Sequence, residues 1–161
     1  MRDIPRDRNT FIINSAMRNR IMGVGGLFFL FLIFLVWVFE HSEVNSMLDL
    51  FRSSIGEKNS LSRYELSLFF TIFVMLQFWN MFNARAFATG RSAFHFRNCS
   101  GFILIACVIA LGQIFIVTCG GEFFNVVPLK ILDWIIIVVM TSAVLWIGEA
   151  FRWKFTKQVA A

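Results

Sequence analysis

The sequence predicts an all-α integral membrane protein, a four-helix bundle, and two observations carry that prediction. Four long windows contain no charged residue, and the mean hydropathy is +0.70, with 58% apolar residues including 21 Phe. A soluble domain carries neither such windows nor such hydropathy. The uncharged windows are Ile21 to Phe39, Leu66 to Ala84, Ser100 to Gly121 and Trp134 to Gly148. Each of the first three is near the ~20 residues that a helix needs to cross a bilayer. The fourth is shorter, so its span is expected to start near Leu129, with Asp133 at the headgroup boundary. Barrel strands would alternate apolar and polar residues over ~10 positions, and these runs do not.

Residues 1–20 read as a lead-in on the cytoplasmic side. Their basic region is long and no small-residue cleavage site follows the apolar run, so a cleaved signal peptide is not expected. Asn9 or Thr10 can cap a helix placing Phe11, Ile12 and Met17 along the membrane surface, and a short unstructured tail fits the same residues. The first span, residues 21–39, contains Gly23, Gly25 and Gly26. No preceding strand and no following Lys-Ser/Thr supports a phosphate loop there, so close helix packing is the expected role, as for Ala106 with Ala110 in the third span.

Residues 40–65 form an outer loop in which Met47, Leu48, Leu50, Phe51 and Ile55 have near-helical spacing until Gly56, Asn59 and Ser60 break it. A short amphipathic surface helix is expected, its acidic residues solvated. The second span covers residues 66–84, an inner loop 85–99, the third span 100–121, a second outer loop 122–128, the fourth span 129–148 and a cytoplasmic tail 149–161. Trp37, Trp134 and Trp153 sit near span ends, where interfacial aromatics belong. In the tail, Glu149 and Arg152 have the spacing of a local ion pair.

Basic residues are retained on the cytoplasmic side of short loops, so their distribution predicts orientation. Of the 15 Lys and Arg, eleven fall in the N-terminal lead-in, the second connection and the C-terminal tail. Four (Arg52, Lys58, Arg63 and Lys130) fall in the first and third connections. Both termini and the second connection are therefore expected in the cytoplasm. The net charge of +5 is a topology signal split among short loops, and nucleic acid is not an expected partner.

Three amides in the second span, Gln77, Asn80 and Asn83, are the most informative polar residues, because amides are costly in hydrocarbon unless they find a partner. At 100° per residue all three fit one face of a helix. Each carbonyl can coordinate a hard cation and each NH2 can bind a carbonyl of a neighbouring helix. Asn83, together with Gln113 in the third span, is assigned to interhelical hydrogen bonding. Gln77 and Asn80 are candidate ion-path positions; interhelical bonding is the favoured role for Asn80, as for Asn83, and for Gln77 the two roles are more evenly matched. Thr71, Thr118, Thr141 and Ser142 are further potential partners.

No complete ion site is expected, since calcium takes six to eight oxygens, usually with carboxylates, and the hydrocarbon part of every span lacks Asp and Glu. Cys99, Cys107 and Cys119 have no zinc or redox spacing and read as small apolar fillers. His41 and His95 fall on opposite sides of the membrane and cannot share a metal. No phosphate loop and no Asp-Lys-Thr-Gly motif occurs, so no catalytic residue and no cofactor is assigned to this sequence.

The run FTIFVMLQFWNMFNAR, from Phe70 to Arg85, resembles the eighth membrane helix of plasma-membrane-type calcium-transporting P-type ATPases. Gly112 to Phe124 resembles the end of the ninth helix and the loop after it, and Pro5 to Ile13 resembles the lead-in to the seventh. The resemblance extends over nearly the whole chain and implies the topology that the charges give. It implies the seventh to tenth helices of a cell-membrane (plasma or inner) multi-pass pump, bracing the helices that carry the ion. Such a pump uses ATP and magnesium and transports calcium; its partners for these helices are the lipid bilayer, the N-terminal membrane helices and the cytoplasmic domains. Reticulum-type members have a Glu-x-x-Asn-x-x-Asn pattern that aligns with Gln77, Asn80 and Asn83, the Glu helping to bind a second calcium. With an amide at Gln77, one calcium per cycle is implied. Two other classes fit the same hydropathy: an accessory subunit of a separately encoded pump core, and a stand-alone four-helix ion transporter.

Overall fold

The computed structural model describes residues 15–52, 56, 60–89, 92–96 and 99–159. Four helices account for most of them: α1, Ser15–His41; α2, Arg63–Thr89; α3, Ser100–Cys119; and α4, Ile131–Val159. No strand occurs among the described residues. All four helices are long and apolar enough to cross a membrane, over Ile21–His41, Arg63–Ala86, Ser100–Cys119 and Ile131–Trp153. The protein is an all-α membrane bundle. The capping expected at Asn9 or Thr10 lies outside the described residues.

The chain divides into two compact units, Met1–Val36 and Trp37–Ala161. The described part of the first is α1 up to Val36. Its side chains are apolar nearly all round, with Ile21, Met22, Leu27, Phe29, Leu30 and Phe34 all exposed, the composition of a helix whose solvent is lipid. A Cβ added at Gly23, Gly25 or Gly26 would meet no atom within 4 Å.

In the second unit α2 is the shared element, packing along α4 and, over a shorter stretch, along α3. Its start is specified locally. Ser62 and Glu65 form a capping box: Ser62 Oγ accepts from the Glu65 amide at 3.2 Å, and Glu65 Oε2 accepts from the Ser62 amide at 2.7 Å. α3 ends at Gly120, where a Cβ would fall 2.9 Å from the Phe124 ring, and Gly121 (φ 44°) and Asn125 (φ 53°) turn the chain toward α4. Asp133 lies in the first turn of α4, where a carboxylate complements the helix dipole.

The amphipathic surface helix expected from Met47 to Ile55 does not form in the described residues. Residues 42–52 make an irregular loop with one 3-10 turn, Asp49–Phe51. The reason is competition for backbone donors: the amides of Val44, Asn45 and Met47 bind the carboxylates of Glu65, Asp49 and Asp133. Val44 and Met47 turn inward and are buried.

Candidate functional site

The polar residues of α2 form contacts at three levels. Nearest its start, Ser67 Oγ donates to the Arg63 carbonyl (2.9 Å) and accepts from the Val127 amide (2.8 Å). Thr71 Oγ1 donates to the Ser67 carbonyl (2.7 Å) and accepts from Gln113 Nε2 of α3 (3.3 Å). Ser67, Thr71 and Gln113 are all buried, and two short hydrogen-bond chains that meet at Ser67, one through its carbonyl and one through its hydroxyl, tie α2 to α3 and to the loop preceding α4.

At mid-helix Trp79 Nε1 donates to Thr141 Oγ1 of α4 at 3.1 Å, while that hydroxyl donates to the Ile137 carbonyl at 2.6 Å. Ser142 is half-buried and donates to the Val139 carbonyl of its own helix.

One turn further on, Asn83 reaches α4. Its Nδ2 donates to the Val144 carbonyl at 2.8 Å and its Oδ1 accepts from Arg152 at 3.2 Å. Gly148 makes room for this: a Cβ there would lie 2.6 Å from Cγ and 2.7 Å from Nδ2 of Asn83. Arg152 also pairs with Glu149, and Glu149 accepts from the Ala93 amide at 3.3 Å. Asn83 thus joins a network spanning α2, α4 and the α2–α3 loop. Nearby, Arg85 donates to the His95 carbonyl at 2.8 Å and stacks over the Phe102 ring at 4.9 Å.

Gln77 and Asn80 differ from Asn83. Gln77 is exposed, in line with exposed Phe73 and Ala84 on α2, and Asn80 is half-buried. Neither amide forms a hydrogen bond with any described residue. The single face that helical spacing allows for the three amides is therefore divided. The arc from Gln77 to Asn83 is about a third of the helix circumference, and of the three amides Asn83 is the one hydrogen-bonded to α4 among the described residues. Among the described residues no three His, Cys, Asp or Glu side chains converge on one point. Cys107 and Cys119 are exposed and Cys99 is half-buried, and none is bonded to another.

Sequence reasoning missed Arg152 as a partner of Asn83, read Glu65 among the solvated acids of the first outer loop and placed Asp133 at the headgroup boundary. Glu65 is 1% exposed and Asp133 0% exposed. The Ser62-x-x-Glu65 spacing was a readable signal for the first. Nothing local marked the second, because its partners lie about 70 to 90 residues away in the chain.

A family model described as "Cation transporting ATPase, C-terminus" matches residues 1–154, and the chain belongs to that family. It is 31% identical over 136 residues to plasma membrane calcium-transporting ATPase 2 of Oreochromis mossambicus, a match covering 81% of this chain and 11% of that protein. It is also 31% identical over 150 residues to calcium-transporting ATPase PAT1 of Dictyostelium discoideum, covering 92% of this chain and 13% of the relative. The chain spans little more than a tenth of the length of these curated relatives. It is a multi-pass membrane region of the cation-transporting ATPase C-terminal type, homologous to calcium-transporting ATPases.

Proposed function

We propose that α1 to α4 serve as the seventh to tenth membrane helices of a calcium-transporting P-type ATPase. In this reading they brace the helices that carry the ion, while ATP and magnesium act on domains outside this sequence. The family match over residues 1–154 carries the reading. The uncovered face of α2 supports it, because an amide such as Gln77 is costly against lipid, whereas a further set of helices would give it polar neighbours. Gln77 and Asn80 are then the ion-path positions, and Asn83 and Gln113 hold α2 to α4 and α3. Both termini and the α2–α3 loop lie on the cytoplasmic side of the cell membrane, in accord with the distribution of Lys and Arg.

The test is to tag Ala161 at the chromosomal locus, purify the tagged material in mild detergent, and assay ATP-dependent calcium uptake in vesicles. A tagged polypeptide containing the phosphorylated Asp domain, with uptake lost on deletion of the four helices, is the expected result. Co-purification with a separately encoded pump core would make the chain an accessory subunit. Calcium flux through liposomes holding only the 161 residues would make it a stand-alone transporter.

A further inference from the structure

Residues 42–49 connect the end of α1 with what precedes α2, and they are held by two buried carboxylates from different helices. Glu65 Oε1 accepts from the Val44 amide at 2.9 Å. Asp133 Oδ1 accepts from the Met47 amide and the Ser46 hydroxyl, both at 2.8 Å, and Asp133 Oδ2 accepts from the Tyr64 hydroxyl. Lys130 adds a third tie: its Nζ donates to the Asn45 carbonyl at 3.0 Å and its amide to the Tyr64 hydroxyl at 3.3 Å.

These bonds close a ring. It runs from Val44 to Glu65, through the adjacent Tyr64 in the first turn of α2, to Asp133 of α4, to Met47, and back along three residues of chain to Val44. Each carboxylate is almost wholly buried, so losing the donors of the segment while the rest of its surroundings stay in place leaves a buried charge under-bonded. The capping box ties Glu65 to Ser62 across the turn of chain that carries Tyr64, so a shift at either carboxylate is passed to the other.

We propose that Glu65 and Asp133 form one cooperative clasp that locks residues 42–49 as a strap across the adjoining ends of α2 and α4. The strap opens at both carboxylates or at neither. Any rearrangement of the α1–α2 connection must then break the α2 and α4 attachments together.

The test is residue-resolved amide hydrogen exchange by NMR on the full chain in phospholipid nanodiscs, comparing the parent protein with Glu65→Gln, Asp133→Asn and Tyr64→Phe. The expected result is that each substitution accelerates exchange at both the Val44 and Met47 amides by about tenfold or more, the effect of weakening a bond to a charged acceptor. Ile105, inside α3, serves as the control for global unfolding and should not change. Acceleration confined to Val44 in Glu65→Gln and to Met47 in Asp133→Asn would overturn the proposal, showing two independent attachments. Should either carboxylate substitution unfold the protein, Tyr64→Phe decides the matter, since it keeps both acids and removes one hydroxyl. Acceleration at both amides then supports the clasp, and acceleration at Met47 alone, or at neither, refutes it.

Discussion

At Gly148 the missing side chain is what brings the Asn83 amide against α4, where it bonds the Val144 carbonyl and Arg152. A methyl group there overlaps three atoms of that amide, and α4 must move away or Asn83 must change rotamer. Gly148→Ala is therefore expected to cost about 1–3 kcal/mol of stability, read as a lowered Tm in detergent; an unchanged Tm would show that the junction yields freely. Gln77 presents the opposite case, an exposed amide that bonds no described residue of α3 or α4. Replacing it with an acid adds a negative charge to what we propose is the ion path, and divalent sites strengthen with ligand charge. In a complete pump carrying this region, Gln77→Glu is expected to raise calcium per ATP from one toward two, or to bind calcium more tightly at unchanged stoichiometry. A parent already moving two would contradict the single-site reading. That amides mattered was legible in the sequence, because polar groups in a span are conspicuous. Which amide met which helix was not, because 60° of rotation separates Asn80 from either neighbour and only packing decides how far α4 reaches around α2.

The start of α2 shows how a few residues set the boundary of an element. Ser62 and Glu65 satisfy each other's backbone amides, and α2 begins at Arg63, a turn or so before the uncharged window at Leu66. Ser62→Ala leaves the Glu65 amide without its hydroxyl acceptor and is expected to cost about 1 kcal/mol. The loss should appear as faster exchange at the Tyr64 and Glu65 amides while the middle of α2 stays protected. The loop before it defeats the same kind of reading. Helical spacing from Met47 onward is real, but it is short, and isolated helices of so few residues are marginal without help. Three carboxylates take the amides that a helix would need, and two of them belong to α2 and α4. A periodicity rule sees only its own window, so it could not register a competitor donated from 86 residues away.

On the scale of the whole molecule, hydropathy alone was enough for the fold class, since a bilayer leaves helices and closed barrels as the only spanning structures. It could not reveal that α2 is the shared partner of α3 and α4, because in lipid every apolar face looks alike and small numbers of polar contacts choose the neighbours. Orientation depends on a different signal, carried by charges outside the hydrocarbon. Eleven of the 15 Lys and Arg fall before the first apolar window, between the second and third or after the fourth, in stretches short enough for the charge rule to apply. The two exposed sites Phe94, in the α2–α3 loop, and Glu122, in the α3–α4 turn, can report it. Cys99, Cys107 and Cys119 form no disulfide with one another, so a cysteine-free background requires only small substitutions. In that background Glu122→Cys should react with a membrane-impermeant maleimide applied to intact cells, and Phe94→Cys only after permeabilisation. Neither position takes part in the Asn83 network or the Asp133 clasp; the Phe94 ring packs on Trp146 of α4, so an unchanged Tm of Phe94→Cys accompanies the labelling. The reverse labelling pattern would place the basic loops outside and leave the α2–α3 loop unable to face the cytoplasmic domains of a pump, removing the topological support for the proposed role.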